Sequence, residues 1–297
     1  IVSTLYAVYH PKDNALPDFI QVYFEQHARM NNYMHPLVNK GAKNDMKVSA
    51  ENALKGPVCF PSRVEQESIS AFFSVLDNLI TLHQREYAKL VNIKASMLEK
   101  MFPKDGSAYP EVRFAGFTDA WEQRKVSDMF KVTRGYVLAA TLTNDTKSDE
   151  MPYPVYSSQT KDFGLMGYYR DYLYENSITW TTDGANAGTV NYRAGKFYCT
   201  NVCGVLLSDK VNASQMIAEA LNNVAKGYVS YVGNPKLMNN VMSDIEIMIP
   251  VSPMEQKRIS DYFATLDHLI TLHQRKCNYQ KKSKKIEPRP ILDSVLA

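Results

Sequence analysis

The 297-residue chain contains no run of 18 apolar residues, so no segment reads as a membrane-spanning helix. No secretory signal segment is visible either. Cysteine is scarce: Cys59, Cys199, Cys203 and Cys277. Cys199 and Cys203 stand four apart, not the spacing of a CxxC pair, and no histidine cluster accompanies them. We read all four as reduced thiols of a cytoplasmic protein without a metal site. Catalytic signatures are missing too. There is no GxxxxGK[ST] phosphate loop, because Gly184–Gly188 lacks the length and the Lys-Ser/Thr ending. Asn234-Pro235 is followed by Lys236, so no Asn/Asp-Pro-Pro-aromatic motif forms, and neither HExxH nor GxSxG occurs. No residue is assigned a catalytic role. Strong charge is also missing: the net charge is +3, too mild to indicate a free-standing nucleic-acid binder.

What is present is ordinary globular composition, 45% hydrophobic and 22% charged, enough for a sizeable core and for two domains. Tyrosine is plentiful at 19 residues, and its amphipathic ring suits recognition surfaces. The chain opens with the strand-like run Ile1–Tyr9 rather than Met, which reads as the continuation of a longer polypeptide.

An internal repeat organises the rest. EQESISAFFSVLDNLITLHQR at 65–85 returns as EQKRISDYFATLDHLITLHQR at 255–275, with 14 of 21 positions identical at an offset of 190 residues. Apolar residues recur at spacings of 3 and 4: Ile69, Phe72, Leu76, Leu79 and Leu90, continued by Ile93 and Met97, in the first copy; Ile259, Tyr262, Leu266 and Leu269 in the second. That alternation predicts a coiled-coil seam. His83 and His273 take the same seam position, where a polar residue sets register more often than it binds metal. The first helix is expected over about 64–102, before Pro103, and the second over 254–287, before Pro288 and Pro290. The basic run Arg275–Lys285 reads as a solvated helix end or a DNA or partner contact.

Between the helices, 103–253 turns strand-rich past Tyr153. Strands are expected at Asn176–Thr182, Gly188–Tyr192, Lys196–Thr200 and Cys203–Leu207, with Asp183-Gly184 as a hairpin turn and Arg193–Gly195 dividing two strands. Ser214 is expected to cap a helix across Met216–Val224. Residues 1–63 echo the end of this unit: a strand at Tyr6–Tyr9, a helix capped by Asp18, then a loop with Gly41 leading to Pro61.

The repeated helix element and the junction Phe102-Pro103-Lys104 with Pro110–Arg124 resemble the conserved regions of type I restriction-modification specificity subunits. Pro154–Gln159 with Thr179–Gly188 is similar to a target recognition domain of that family. The resemblance implies a mixed α/β fold of strand-rich target recognition domains separated by two long helices packing as an antiparallel coiled coil. In these terms 1–63 is the C-terminal part of a first recognition domain and 64–102 a spacer helix. The second recognition domain is 103–253, the second spacer 254–287, and 288–297 an atypical tail. The partners implied are double-stranded DNA, two methyltransferase subunits and translocating restriction subunits. S-adenosylmethionine, ATP and Mg would sit on those partners, with no cofactor on this chain.

Base reading needs directional donors and acceptors at a groove. Candidates are Tyr156, Ser157, Ser158, Gln159, Thr160 and Lys161 in one loop, and Thr181, Thr182, Asp183, Gly184 and Asn186 in a second. Tyr168, Tyr169 and Tyr192 offer rings, and Arg193 and Lys196 suit phosphate or guanine. Across unselected proteins such Ser/Thr/Gly segments are mostly plain loops. Residues 132–248 carry 9 Lys/Arg against 11 Asp/Glu, a net of −2, so this part alone should bind DNA weakly. Two other classes compete: a coiled-coil scaffold that binds protein without DNA readout, and a nucleic-acid enzyme whose site has no known signature.

Overall fold

The computed structural model describes residues 8–12, 14–40, 46–104, 106–158 and 161–285. They form two compact units. One takes the described residues up to Ala88 together with those from Thr271 onward; the other is Lys89–Ile270.

The first unit starts with helices α1 (Pro17–Glu25) and α2 (His27–Met34) and the short strand pair β1 (Asn39–Lys40) and β2 (Met46–Lys47). Asp18 does not cap α1. Leu16 holds the cap position, Pro17 opens the helix, and Asp18 lies in the first turn. Proline is preorganised for that opening position because its missing N–H would lack a partner anyway. The Leu16 N–H is instead satisfied from afar, by Gln66 Oε1 at 2.9 Å. Gln66 is fully buried and also donates to the carbonyls of Asn14 (3.0 Å) and Pro61 (2.9 Å). Val8 and Tyr9 are exposed and form no strand, while the rest of the expected 6–9 strand, Gly41 and the 288–297 tail lie outside the described residues.

Two long helices, α3 (Arg63–Lys100) and α7 (Pro253–Lys285), contribute to both units. At ~1.5 Å per residue α3 extends roughly 57 Å. Inside the first unit the helices run antiparallel. Asp77 pairs with Lys284 at 2.7 Å and His83 meets His273 at 3.1 Å, so one number rises as the other falls. The heptad is present but its phase is shifted. Phe72 is 64% and Leu79 39% exposed, whereas Ile80 is buried and Phe73 half-buried. In α7, Phe263 and Ile270 are buried, and the expected Tyr262 and Leu269 are half-buried beside them, Tyr262 packing against the core. Ile69, Leu76, His83, Leu90, Ile259, Leu266 and His273 keep their sheltered positions. The ambiguity is physical: spacings of 3 then 4, and of 4 then 3, share every second seam residue.

The second unit adds β3 (Glu122–Lys125), α4 (Val126–Met129), β4 (Phe130–Arg134), β5 (Tyr153–Tyr156), β6 (Leu165–Tyr169), β7 (Tyr174–Thr181), β8 (Val190–Cys199), β9 (Cys203–Ser208), α5 (Gln215–Ala225), α6 (Asn239–Asp244) and β10 (Glu246–Ile249). Six strands form one sheet in the order β4-β9-β7-β8-β5-β6, antiparallel except for β5 beside β8; β10 and β3 pair separately. Ser214 caps α5, its Oγ accepting from the Ile217 N–H. α5 then buries Met216, Ile217 and Leu221 in the same core as Trp180, Ile178 and Leu206 of the sheet. Gly204 lies under Trp180, where a Cβ would stand about 2 Å from the indole, so only glycine fits.

Two strand boundaries differ from expectation. Arg193–Gly195 does not divide two strands; β8 is continuous, Arg193 pairs with Ser177, and Ala194-Gly195 form a bulge opposite Asn176. Asn176 adopts φ 43° and its Oδ1 accepts from the Gly195 N–H at 2.8 Å. A bulge kinks a strand without ending it. Nor is Asp183-Gly184 a two-residue hairpin turn. The last paired residues are Trp180 and Val190, leaving a longer loop pinned by Thr181 N–H to Thr189 O and Gly188 N–H to Thr181 O.

The junction Pro110–Arg124 straps onto the start of α7. Arg113 forms a bidentate pair with Glu255, at 2.6 and 2.8 Å, and Glu255 is 1% exposed. Arg258 lies over the Phe114 ring at 4.8 Å, and Trp121 packs edge-on to Phe102.

Candidate nucleic-acid interface

Four connections of the second unit are hydrogen-bonded to one another. The segment after β5 begins with Ser157, whose N–H donates to Gly164 O at 2.8 Å. The tight turn between β8 and β9 places Thr200, whose N–H donates to Tyr156 O at 2.9 Å and whose hydroxyl donates to Ser157 Oγ at 3.1 Å. From the β7–β8 loop, Asn186 donates through Nδ2 to Ser158 O at 3.2 Å. The fourth connection follows α5. Ser230 and Lys236 exchange both backbone hydrogen bonds around a tip at Tyr231–Asn234, where Gly233 has φ 78°. That tip is tied back by Gly184 N–H to Pro235 O and by Leu237 N–H to Thr182 O, both 2.9 Å. Loops held this way present groups at fixed positions on a rigid scaffold.

The expected site residues do not gather in one place. Ser157, Ser158, Asp183, Gly184 and Asn186 are partly exposed within the loop cluster. Tyr156 is half-buried beneath it. Gln159 and Thr160 lie outside the described residues, and Lys161 begins the 3-10 turn Lys161–Gly164. Tyr169 and Lys196 belong to separate aromatic contacts, and Tyr168 pairs with Pro154 in the sheet and exchanges backbone hydrogen bonds with Asn144. Lys196 Nζ lies 4.4 Å over the Tyr172 ring, Tyr172 packs on Tyr153, and Tyr169 packs edge-on to Tyr198. Tyr192 is half-buried against the core, and burial raises its pKa.

Three of the expected contacts are corrected by burial. Thr181 and Thr182 are buried, and the Thr182 hydroxyl is committed to Val202 O (3.0 Å) and Asp183 Oδ2 (2.6 Å). Arg193 is 8% exposed and its guanidinium serves the fold. Nε donates to Thr179 Oγ1 at 3.1 Å, Nη2 donates to Phe163 O at 2.7 Å, and the group stacks 3.7 Å over Tyr156. Burial lowers its pKa from the ordinary guanidinium value. A cation so enclosed cannot reach a phosphate.

Sequence reasoning missed the residues that do face outward here. Phe163 is 57%, Tyr231 71% and Val232 92% exposed. Each stands in a short polar segment without periodicity, so only an aromatic or β-branched residue beside glycine could have marked them. Cys199 and Cys203 are buried beside Phe197 and Val205, and burial raises both thiols, Cys203 to about 11. Thiols held protonated are poor nucleophiles and poor metal ligands.

The segment 118–279, from before β3 into α7, matches the family model for the type I restriction modification DNA specificity domain. A Mycoplasma pneumoniae protein provisionally named as the N-terminus of a type I specificity subunit is 36% identical over 148 residues, covering 48% of this chain and 73% of that protein. The type I restriction enzyme MpnII specificity subunit of the same organism is 32% identical over 153 residues, covering 50% of this chain and 44% of that subunit. The crystal structure of a type I restriction-modification S subunit from M. genitalium shares the fold, with a TM-score of 0.69 at 12% identity over 90% of this chain and 70% of that one.

Proposed function

This chain belongs to the type I restriction modification DNA specificity family, and from that premise we propose that it is the sequence-reading, non-catalytic subunit of a restriction-modification complex. The observation that carries the reading is the interlocked loop cluster at 157–164, 182–189, 200–202 and 230–237, inside the segment that matches the family. Ser158, Asn186 and Asp183 offer hydroxyl, amide and carboxylate groups at its partly exposed surface, the chemistry that base edges require.

The target we propose is bipartite double-stranded DNA. The second unit reads one half-site, and the α1–α2 unit is the end of a second reader. Methyltransferase subunits carry out adenine-N6 methylation and translocating subunits the cleavage, with S-adenosylmethionine, ATP and Mg on those partners. Residues 132–248 have a net charge of −2. Phosphate neutralisation dominates protein–DNA affinity, so partner subunits supply most of it.

Long-read mapping of N6-methyladenine in the host genome, with and without the intact gene, tests this. One split motif should lose methylation on deletion. If no motif changes while the partner methyltransferase is expressed, the DNA-reading role is wrong.

A further inference from the structure

The turn that follows Ser158 carries a side chain the fold does not use. Phe163 has its backbone in the left-handed region, φ 54°, which bulky L residues rarely adopt. Its ring is nonetheless 57% exposed, so core packing does not hold it there. The hold comes from behind. The Phe163 carbonyl accepts from Nη2 of the buried Arg193 at 2.7 Å, and Nε of the same guanidinium is fixed by Thr179 Oγ1. Arg193 in turn stacks on Tyr156, and Ser157 N–H closes the turn on Gly164 O, whose residue has φ 87°.

Strained backbone persists only where the surroundings over-determine it, and such sites concentrate where function needs a fixed geometry. Here a buried arginine, a stacked tyrosine and two consecutive positive-φ residues together aim one apolar ring at solvent. The ring shares its loop with Ser157 and Ser158, and Asn186 is hydrogen-bonded to that loop.

We propose that Phe163 is a DNA-contact residue that wedges against a base step of the half-site, and that Arg193 is the positioning residue that aims it. The inference rests on the reading that this loop cluster faces DNA. Apolar side chains inserted beside a base step partly unstack it, and the cost depends on how deformable that step is. Such a contact needs no phosphate charge, which suits a segment with a net charge of −2.

The test uses the full chain assembled with its methyltransferase partner, on duplexes carrying the methylated motif with 2-aminopurine at each half-site position in turn. Leaving aside the adenine that the methyltransferase itself flips out, the parent complex should raise 2-aminopurine fluorescence at one step. Phe163→Ala should abolish that rise and weaken binding about 5- to 100-fold, while Phe163→Trp keeps the rise. Phe163→Gly removes ring and strain together, so its binding falls like that of the alanine variant while its Tm is no lower than the parent's. Arg193→Lys keeps the charge but loses the planar fork, and should reduce the rise with Phe163 still present. The inference is overturned if Phe163→Ala binds, methylates and lights the probe as the parent does. It is equally overturned if that variant fails only in assembly with the methyltransferase, which would make the ring a protein contact. A parent complex with no preference for the motif duplex removes the functional reading itself, before any variant is compared.

Discussion

Lys94 with Asp267 and Lys284 with Asp77 are the same pair written twice, each residue 190 positions from its counterpart. Each lysine also takes a glutamate from a helix outside the repeat: Glu219 of α5 in the second unit, Glu25 of α1 in the first. The distances barely differ, 2.7 Å for both Lys94 contacts against 2.6 and 2.7 Å for Lys284. Surroundings separate them. Glu219 and Asp267 are 5% and 31% exposed, Glu25 and Asp77 47% and 49%. Burial alone would lower the Lys94 pKa, but the two carboxylates outweigh it and hold it above the ordinary value; Lys284 shows the same balance. Identical geometry thus carries different energetic weight, because solvent screens one triad and protein encloses most of the other.

Breaking the enclosed triad should have the largest effect. Lys94→Met leaves two carboxylates without their cation and should cost about 3–5 kcal/mol. Urea unfolding followed by tryptophan fluorescence reads this cleanly, since Trp121 and Trp180 both lie in the second unit. Replacing Lys94, Glu219 and Asp267 together with apolar residues should recover most of the loss, because a well-packed apolar set substitutes for a buried ionic one. The comparison sharpens at Gln66, the buried neutral group of the first unit. Gln66→Ala strands the Leu16 N–H and two carbonyls, and should cost about 1–3 kcal/mol, seen as faster amide exchange across α1. Lys284→Met should then cost less than about 1 kcal/mol in the same exchange measurement. A Lys284 effect as large as that of Lys94 would break the argument from burial.

The smallest effect concerns pH. Burial, with His273 and Lys276 nearby, holds the His83 pKa below 6.5. The folded state therefore keeps this ring neutral where the unfolded chain takes up a proton. Its contribution is present above the unfolded value and is lost as pH falls through the folded one. His83→Leu should flatten part of the stability loss between about pH 7 and pH 5, measured as the slope of Tm against pH.

The long helices were legible because repeat and heptad are local, periodic signals; both expected starts and the expected end of the first fall within two residues of those observed, while the expected end of the second, at 287, lies outside the described residues. The phase was not legible. Phe72-Phe73 and Leu79-Ile80 are apolar doublets, so either member satisfies the pattern, and only packing chooses Phe73 and Ile80. In the loop cluster, composition marked Ser157, Ser158 and Asn186 because hydroxyls and amides at turns are visible in sequence. It misjudged Arg193, because a glycine-containing tripeptide between apolar runs looks like a turn, while the bulge opposite Asn176 keeps β8 continuous and the arginine inside. Phe163 escaped notice because its backbone conformation depends on Arg193, 30 residues further along the chain.

His83 meets His273, the residue that occupies the same place in the repeat. A segment that packs on its own copy must be complementary to itself, as the face of a two-fold dimer is. A change at such a self-matched position has a ready answer, the same change made again 190 residues away. Two half-sized alphabets therefore collapse into one, and the contact needs half the independent information that two unrelated helices would require.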